Sequence, residues 1–322
     1  MRVLFAGSPA IAVPALLAIA ARHQVVGVLT NPESAQGRGR GLLPTAVAEA
    51  ARDAAGDTMP ILAFEKLDGK AREIVSALEP ELLVAFAYGR IFGPKFLALF
   101  PKGGINIHPS LLPRHRGSSP IQQAILDRDV ETGVSIQRIA LEMDSGDILA
   151  VESFPLGGRE TAGTLSERCA RIGARLASGV LDAIEGGSLK AMPQVGRPTY
   201  CRKIAKEDGL VDWTMSCLDI DARIRAFDPW PGAYSWLNGQ RLNLLEAEPL
   251  PSDDLLSGTG ALPNAPAGTI IGLDKSRGIV VRTGEGFMAL RKLQFSARKV
   301  LAYKDFANGL RNLAGMRFAN AP

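Results

Sequence analysis

The chain has 322 residues, 46% of them hydrophobic and 22% charged, with a formal net charge of +4. That composition is ordinary for a soluble globular protein and excludes a disordered or collagen-like chain, and the length predicts two domains. No run of about 18 apolar residues is present to span a membrane. Cys169, Cys201 and Cys217 have neither metal-ligand spacing nor an even count, so a reducing cytoplasm and no bound metal are expected.

In chain order, Arg2 to Phe5 predicts a strand that begins at once, leaving no room for a signal peptide. Gly7-Ser8-Pro9 closes it, and Ser8 is placed to cap a following helix, with Pro9 at its first position. Val25–Leu29 predicts a second strand, followed by a loop from Thr30 to Gly41 rich in Gly, Asn, Pro, Ser and Arg. Helices are expected over Thr45–Ala55 and Gly69–Leu78, and strands over Pro60–Ala63, Leu82–Ala87 and Gly103–Ile107. This alternation predicts an α/β fold, a Rossmann-like and mostly parallel sheet with helices on both faces. Gly133–Ile139 and Ile148–Phe154 predict two further strands, and Leu165, Cys169, Ile172, Leu176, Val180 and Ile184 give one apolar face of a helix over Thr164–Glu185. Residues 1–188 are thus expected to form one domain and 189–206 a linker. Residues 207–322 are expected to form a small OB-like β-barrel of short strands, with one helix near Asp219–Ala226 and a loose loop from Pro249 to Pro266.

Two glycine-bearing turns are not nucleotide sites. Gly7-Ser8-Pro9 lacks the second and third glycines of a dinucleotide fingerprint, and Gly37-Arg38-Gly39-Arg40-Gly41 lacks the Gly-Lys-Ser/Thr ending of a phosphate loop. From Leu290 to Arg317 the charged residues are Arg291, Lys292, Arg298, Lys299, Lys304, Arg311 and Arg317 against Asp305 alone. A single-sign stretch of that kind can follow a phosphate backbone, unless acids elsewhere in the fold balance it.

The segment Asn106-Ile107-His108-Pro109-Ser110-Leu111-Leu112-Pro113 carries the chemistry. The two-residue period of a strand puts Asn106 and His108 on one side, at the carboxyl end where open α/β sheets hold their ligands. An amide and an imidazole there can donate to a carbonyl oxygen that gains charge during acyl transfer. A nearby carboxylate would favour the protonated ring and could relay a proton. Met143-Asp144-Ser145-Gly146-Asp147, in a turn between two expected strands, offers Asp144, with Asp147 as its competitor.

These residues also carry a family resemblance. Asn106 to Pro113, with Arg116-Gly117 and Pro120-Ile121-Gln122, resembles the signature of the 10-formyltetrahydrofolate-dependent formyltransferases, and Asp144-Ser145-Gly146-Asp147-Ile148 resembles their second signature. The resemblance implies that Asn106, His108 and Asp144 form the catalytic trio. It implies that Ser110, Leu111, Leu112 and Pro113 contact the folate, and that Val84 to Gly89, with Tyr88 and Gly89, lines the pterin pocket. 10-formyltetrahydrofolate would be the formyl donor, with no metal.

Asn31-Pro32 through Arg40 is similar to the basic loop of those family members whose acceptor is methionyl-initiator tRNA. Tyr200 to Ile204, Asp212-Trp213 and Ile224 to Gly232 look like the start of their C-terminal barrel. The resemblance therefore implies tRNA contacts by Arg38, Arg40, Arg298 and Lys299, in a protein expected to be a cytoplasmic monomer with no membrane partner. An amino-sugar nucleotide or water as acceptor would share the N-terminal chemistry.

Overall fold

A computed structural model describes residues 1–36, 41–251, 265–310 and 312–321. The chain divides into two compact units: Met1–Ile121, Val130–Leu156 and Thr164–Arg202 form the first, and Gln122–Asp129, Gly157–Gly163 and Lys203–Pro322 the second. No helix among the described residues is long and apolar enough to cross a membrane.

The first unit is built on strands β1 (Arg2–Gly7), β2 (Gln24–Thr30), the short pair β3 (Ser34–Gln36) and β4 (Gly41–Leu43), β5 (Ile61–Ala63), β6 (Leu82–Phe86), β7 (Gly104–His108), the two-residue β8 (Arg116–Gly117), β9 (Glu131–Arg138), β10 (Ile148–Pro155) and β11 (Tyr200–Cys201). Seven of them form one sheet in the order β10-β9-β7-β6-β1-β2-β5. The strands from β7 to β5 run parallel, whereas β9 and β10 join antiparallel at the other edge. β1 and β6 are continuous apolar runs, almost wholly buried, as strands covered on both faces must be.

Helices α1 (Val13–Ala20), α2 (Ala46–Ala55), α3 (Gly69–Ser76), α4 (Pro94–Leu97), α5 (Pro120–Leu126) and α6 (Ala162–Glu185) connect these strands. Thr45 and Asp68 cap α2 and α3 by accepting from Ala48 N (3.2 Å) and Ala71 N (3.1 Å). The capping expected of Ser8 is not made. A 3-10 turn over Ala10–Ala12 precedes α1, and Ser8 Oγ instead accepts from Asn31 N (3.1 Å) and Nδ2 (2.9 Å), tying the ends of β1 and β2 together. Where a Cβ would stand on Gly173 of α6, Ile107 Cγ2 lies 2.8 Å away, so only glycine lets this helix press onto the strand that carries Asn106 and His108.

The Thr30–Gly41 segment, expected as loop, contains β3, which pairs antiparallel with β4 beginning at Gly41. Residues 189–202, expected as a linker, belong by their contacts to the first unit, and β11 pairs in parallel with β8.

In the second unit, β12 (Ala233–Leu237), β13 (Gln240–Leu250), β14 (Ile270–Asp274), β15 (Gly278–Arg282), β16 (Phe287–Phe295) and β17 (Leu301–Ala302) form an antiparallel sheet of the small-barrel kind. Its order is β12-β13-β16-β15-β14, with β17 also on β16. Helix α7 (Cys217–Ala226) is capped by Ser216, and α8 (Tyr303–Asn308) follows β17. The core gathers Val211, Trp213, Ile220, Leu242, Leu290 and Phe318, with the Trp213 and Phe318 rings stacked at 4.8 Å. Most of the expected Pro249–Pro266 loop lies outside the described residues, and β13 reaches as far as Leu250. All three cysteines are buried and outside any disulfide, and burial pushes the Cys169 thiol up to about 12, so they behave as core residues.

Candidate active site

β7 ends at the site, and its two neighbours supply the surroundings. Asn106 pairs with Ala85 of β6 on one side and Gln137 of β9 on the other, and His108 pairs with Ser135. Two residues apart on one strand, Asn106 and His108 meet the same carboxylate. Asn106 Nδ2 donates to Asp144 Oδ1 at 3.3 Å, and His108 Nδ1 lies 3.7 Å from Asp144 Oδ2. Gln137 Nε2 donates to Oδ1 (2.8 Å) and Gly117 N to Oδ2 (2.8 Å), so both carboxylate oxygens are held. Asp147 is exposed, and its backbone carbonyl accepts from Arg138 N at 2.9 Å. Of the two candidates, Asp144 is the one brought to the ring.

Burial works against the protonated His108 that a neighbouring carboxylate would favour. Its side chain is only 5% exposed, and burial, the largest influence, lowers its pKa below the ordinary 6.5. The opposing pull of Asp144 and of the His115 carbonyl does not make up the difference. His108 Nε2 lies 2.9 Å from the backbone oxygen of His115, which can only accept, so the proton of the neutral ring sits on Nε2. Nδ1 is left with its lone pair, facing the Asp144 side. In this tautomer the neutral ring can serve as a base through Nδ1.

The loop after β7 is fixed from within. Ser110 is fully buried, and its Oγ donates to the Arg114 carbonyl (2.6 Å). Ser135 Oγ donates to Ser110 O (2.7 Å) and accepts from Leu112 N (3.2 Å). Thr199 stitches the far side: its N donates to Pro113 O (3.2 Å), its Oγ1 accepts from His115 N (2.8 Å), and its O accepts from Arg116 N (2.9 Å). Of the four loop residues expected to meet a ligand, Leu111 and Leu112 are half-buried, while Ser110 and Pro113 are buried and shape the loop.

At the end of β6, Ala87 (φ +51°) and Gly89 (φ +81°) take left-handed turns and are exposed. The Tyr88 ring points the other way, stacked on Phe92 at 5.3 Å and 2% exposed, and burial pushes its hydroxyl pKa up. Tyr88 presents its carbonyl instead, which accepts from Asn31 Nδ2 (3.0 Å), while Arg90 Nε donates to Asn31 Oδ1 (2.7 Å). Asn31 and Arg90 join strand ends that sequence periodicity treats separately. Gln137 was within reach of that periodicity, since it stands opposite Asn106 in β9.

Arg38 and Arg40 lie outside the described residues. Arg298 and Lys299 are exposed in the second unit, with the Arg298 guanidinium 5.7 Å from the Phe295 ring centre. The basic stretch around them is partly neutralised. Arg291 pairs with Glu248, and Lys292 with Glu246 at 2.5 Å, both acids coming from the neighbouring strand β13.

An amide, an imidazole and a carboxylate thus meet at the carboxyl end of an α/β sheet. Residues 1–181 match the formyl transferase family and residues 203–311 match its C-terminal domain, and the chain belongs to this family. It is 45% identical over 315 residues to the methionyl-tRNA formyltransferase of Treponema pallidum (strain Nichols), covering 96% of each chain. Two solved structures, each 18% identical, share the fold. HypX from Aquifex aeolicus in complex with tetrahydrofolic acid matches with TM-score 0.60 over 97% of this chain and 47% of that one. An N-formyltransferase from Helicobacter canadensis in complex with folinic acid and dTDP-3-aminofucose matches with TM-score 0.62 over 90% and 98%.

Proposed function

We propose that this formyltransferase moves the formyl group of 10-formyltetrahydrofolate to the free α-amine of methionyl-initiator tRNA, in the cytoplasm and as a monomer. The observation that carries the reading is the convergence of Asn106 Nδ2 and His108 Nδ1 on one carboxylate, at 3.3 and 3.7 Å. The strand ends fit a folate: Leu111 and Leu112 offer apolar surface, and among the described residues nothing lies within 4 Å of where a Cβ on Gly89 would stand, leaving room beside exposed backbone. When bound there, the folate supplies the formyl group and the nitrogen it leaves.

The residues divide the work. Asn106 has a second amide N–H beyond the one given to Asp144, and this donates to the formyl oxygen as negative charge develops, worth about 2.7–4 kcal/mol. His108 Nδ1 takes a proton from the attacking amine while the new N–C bond forms. Asp144 then stabilises the imidazolium, and the proton passes to the departing folate nitrogen as the old C–N bond breaks. Arg38, Arg40, Arg298 and Lys299 are assigned to the tRNA phosphates. Full-length similarity to a methionyl-tRNA formyltransferase favours this acceptor over an amino-sugar nucleotide.

The test is transfer of labelled formyl from the donor to methionyl-initiator tRNA, a dTDP-amino sugar and water, side by side. Formyl-methionyl-tRNA as the dominant product is expected. Formyl sugar, or free formate in the presence of charged tRNA, would overturn the reading.

A further inference from the structure

Within the turn that carries Asp144, Ser145 alone ties back, its Oγ donating to Glu142 O at 3.0 Å, and among the described residues none of the turn's own hydrogen bonds reaches the carbonyls of Asp144 or Gly146. Asp144 sits at φ +52°, a left-handed conformation that its β-carbon disfavours. Leu141, Glu142, Met143 and Asp147 are exposed, and the backbone bond within the turn, Ser145 N to Glu142 O, is long at 3.4 Å. Gln137 and Gly117 hold the carboxylate oxygens, but the backbone on either side of Ser145 needs a hold of its own.

Gln194 has the geometry to provide one. Its Nε2 donates to Asp144 O and to Gly146 O, each at 2.8 Å, so one amide spans Ser145 from both sides. Its Oε1 accepts from both Nε (3.1 Å) and Nη2 (2.7 Å) of Arg116, which is 9% exposed. A guanidinium only donates, so Arg116 fixes which end of the amide faces the turn. Arg116 is itself set by Thr199 O at its backbone and lies 3.4 Å from the Tyr200 hydroxyl. Between residues 191 and 200 Gln194 alone is not exposed. It lies outside both matched family regions, 1–181 and 203–311.

We propose that Gln194, oriented by Arg116, is a positioning residue that holds the Asp144 turn in its working conformation. This rests on the proposed role of Asp144. The held groups are the turn's carbonyls and not a core element, so the loss should fall on turnover more than on stability or substrate affinity.

The test uses full-length Gln194→Leu and Gln194→Glu, with kcat, KM for both substrates and Tm measured. Both should lower kcat by about tenfold or more, with KM for each substrate changed less than about threefold. Glutamate is the discriminating change. It keeps the acceptor for Arg116 but turns a carboxylate oxygen toward two carbonyl oxygens, so a normal rate in Gln194→Glu would show that the residue serves only Arg116 and would overturn the proposal. The second arm places Gln194→Leu in an Asp144→Asn background under single-turnover conditions. If Gln194 acts through Asp144, its own effect should largely vanish there; an undiminished effect overturns the proposal. A normal rate for Asp144→Asn alone would instead remove the catalytic reading on which it rests. A normal Gln194→Leu beside a crippled Asp144→Asn would remove only the positioning role.

Discussion

Replacing Gly146 with alanine should slow formyl transfer by about two orders of magnitude while leaving most of the fold intact. Gly146 is buried in the hairpin between β9 and β10, and a Cβ built there stands 2.7 Å from the carbonyl carbon of Arg138, with the carbonyl oxygen closer still. Ordinary carbon contacts begin near 3.4–4 Å, so the turn must move outward by about 1 Å. The carboxylate of Asp144 is two residues away, and Gly146 O is one of the two acceptors of Gln194. Misplacement of a catalytic group by about 1 Å costs on the order of 10²-fold in rate, and overpacking of this kind costs about 1–3 kcal/mol in stability. Single-turnover formylation at saturating substrates, with a thermal melt of the same sample, separates the two. A folded Gly146→Ala protein with a rate within about threefold of the parent would refute the claim that this turn sets the carboxylate.

Four other outcomes are expected. The chain has three histidines, so imidazole ¹⁵N spectra can be assigned by replacing them one at a time. His108 should be neutral with its proton on Nε2 at pH 7, and should take up a second proton only below pH 6.5. Because burial lowers its folded pKa, the contribution of this ring to stability is complete above about 6.5 and is lost as pH falls through the folded value, where the unfolded chain binds a proton that the folded one refuses; titration above 6.5 would contradict this. Gly117→Ala should lower stability by about 1–3 kcal/mol in denaturant melts, since Gly117 stands at φ +118° and an added Cβ would lie 3.3 Å from the Cys201 carbonyl carbon and closer to its oxygen. Phe318→Ala should cost about 3–5 kcal/mol in the second unit, read as loss of its thermal transition, because the ring is 4% exposed and stacked on Trp213. Arg298→Ala and Lys299→Ala should each reduce the slope of log affinity for tRNA against log salt by up to about 0.9, whereas Arg291→Ala and Lys292→Ala, whose charges face Glu248 and Glu246, should reduce it less.

Local periodicity made the essential part of the site legible. Alternation along β7 places Asn106 and His108 on one side, and the apolar continuity of Leu82–Phe86 marks the buried strand beside it. The signature residues point to Asp144, but only the folded hairpin carries it back to the ring and leaves Asp147 exposed. The charge of His108 was not legible, because it depends on a contest between a neighbouring carboxylate and burial, and burial is a property of the assembled fold. Ser8 looks like a helix cap for the same reason that it is not one: its hydroxyl had a tertiary partner, Asn31, with a stronger claim. Gln194 lies in a Gly- and Pro-rich stretch that reads as linker, and nothing in its spacing announces hydrogen bonds to a turn some fifty residues earlier. The balance of the basic stretch was equally hidden, since Glu246 and Glu248 reach Arg291 and Lys292 only through strand pairing.

The most direct measurement is the single-turnover rate of formyl transfer by Asn106→Ala, His108→Gln and Asp144→Asn proteins that melt like the parent. A fall of about 10²–10³-fold is expected for Asn106→Ala, from the loss of one preorganised donor to the formyl oxygen. Losses of at least about 10²-fold are expected for the other two, from the loss of the proton acceptor and of its stabilising charge. Rates near the parent value in any of the three folded variants would contradict the convergence of these groups on a single reacting carbonyl.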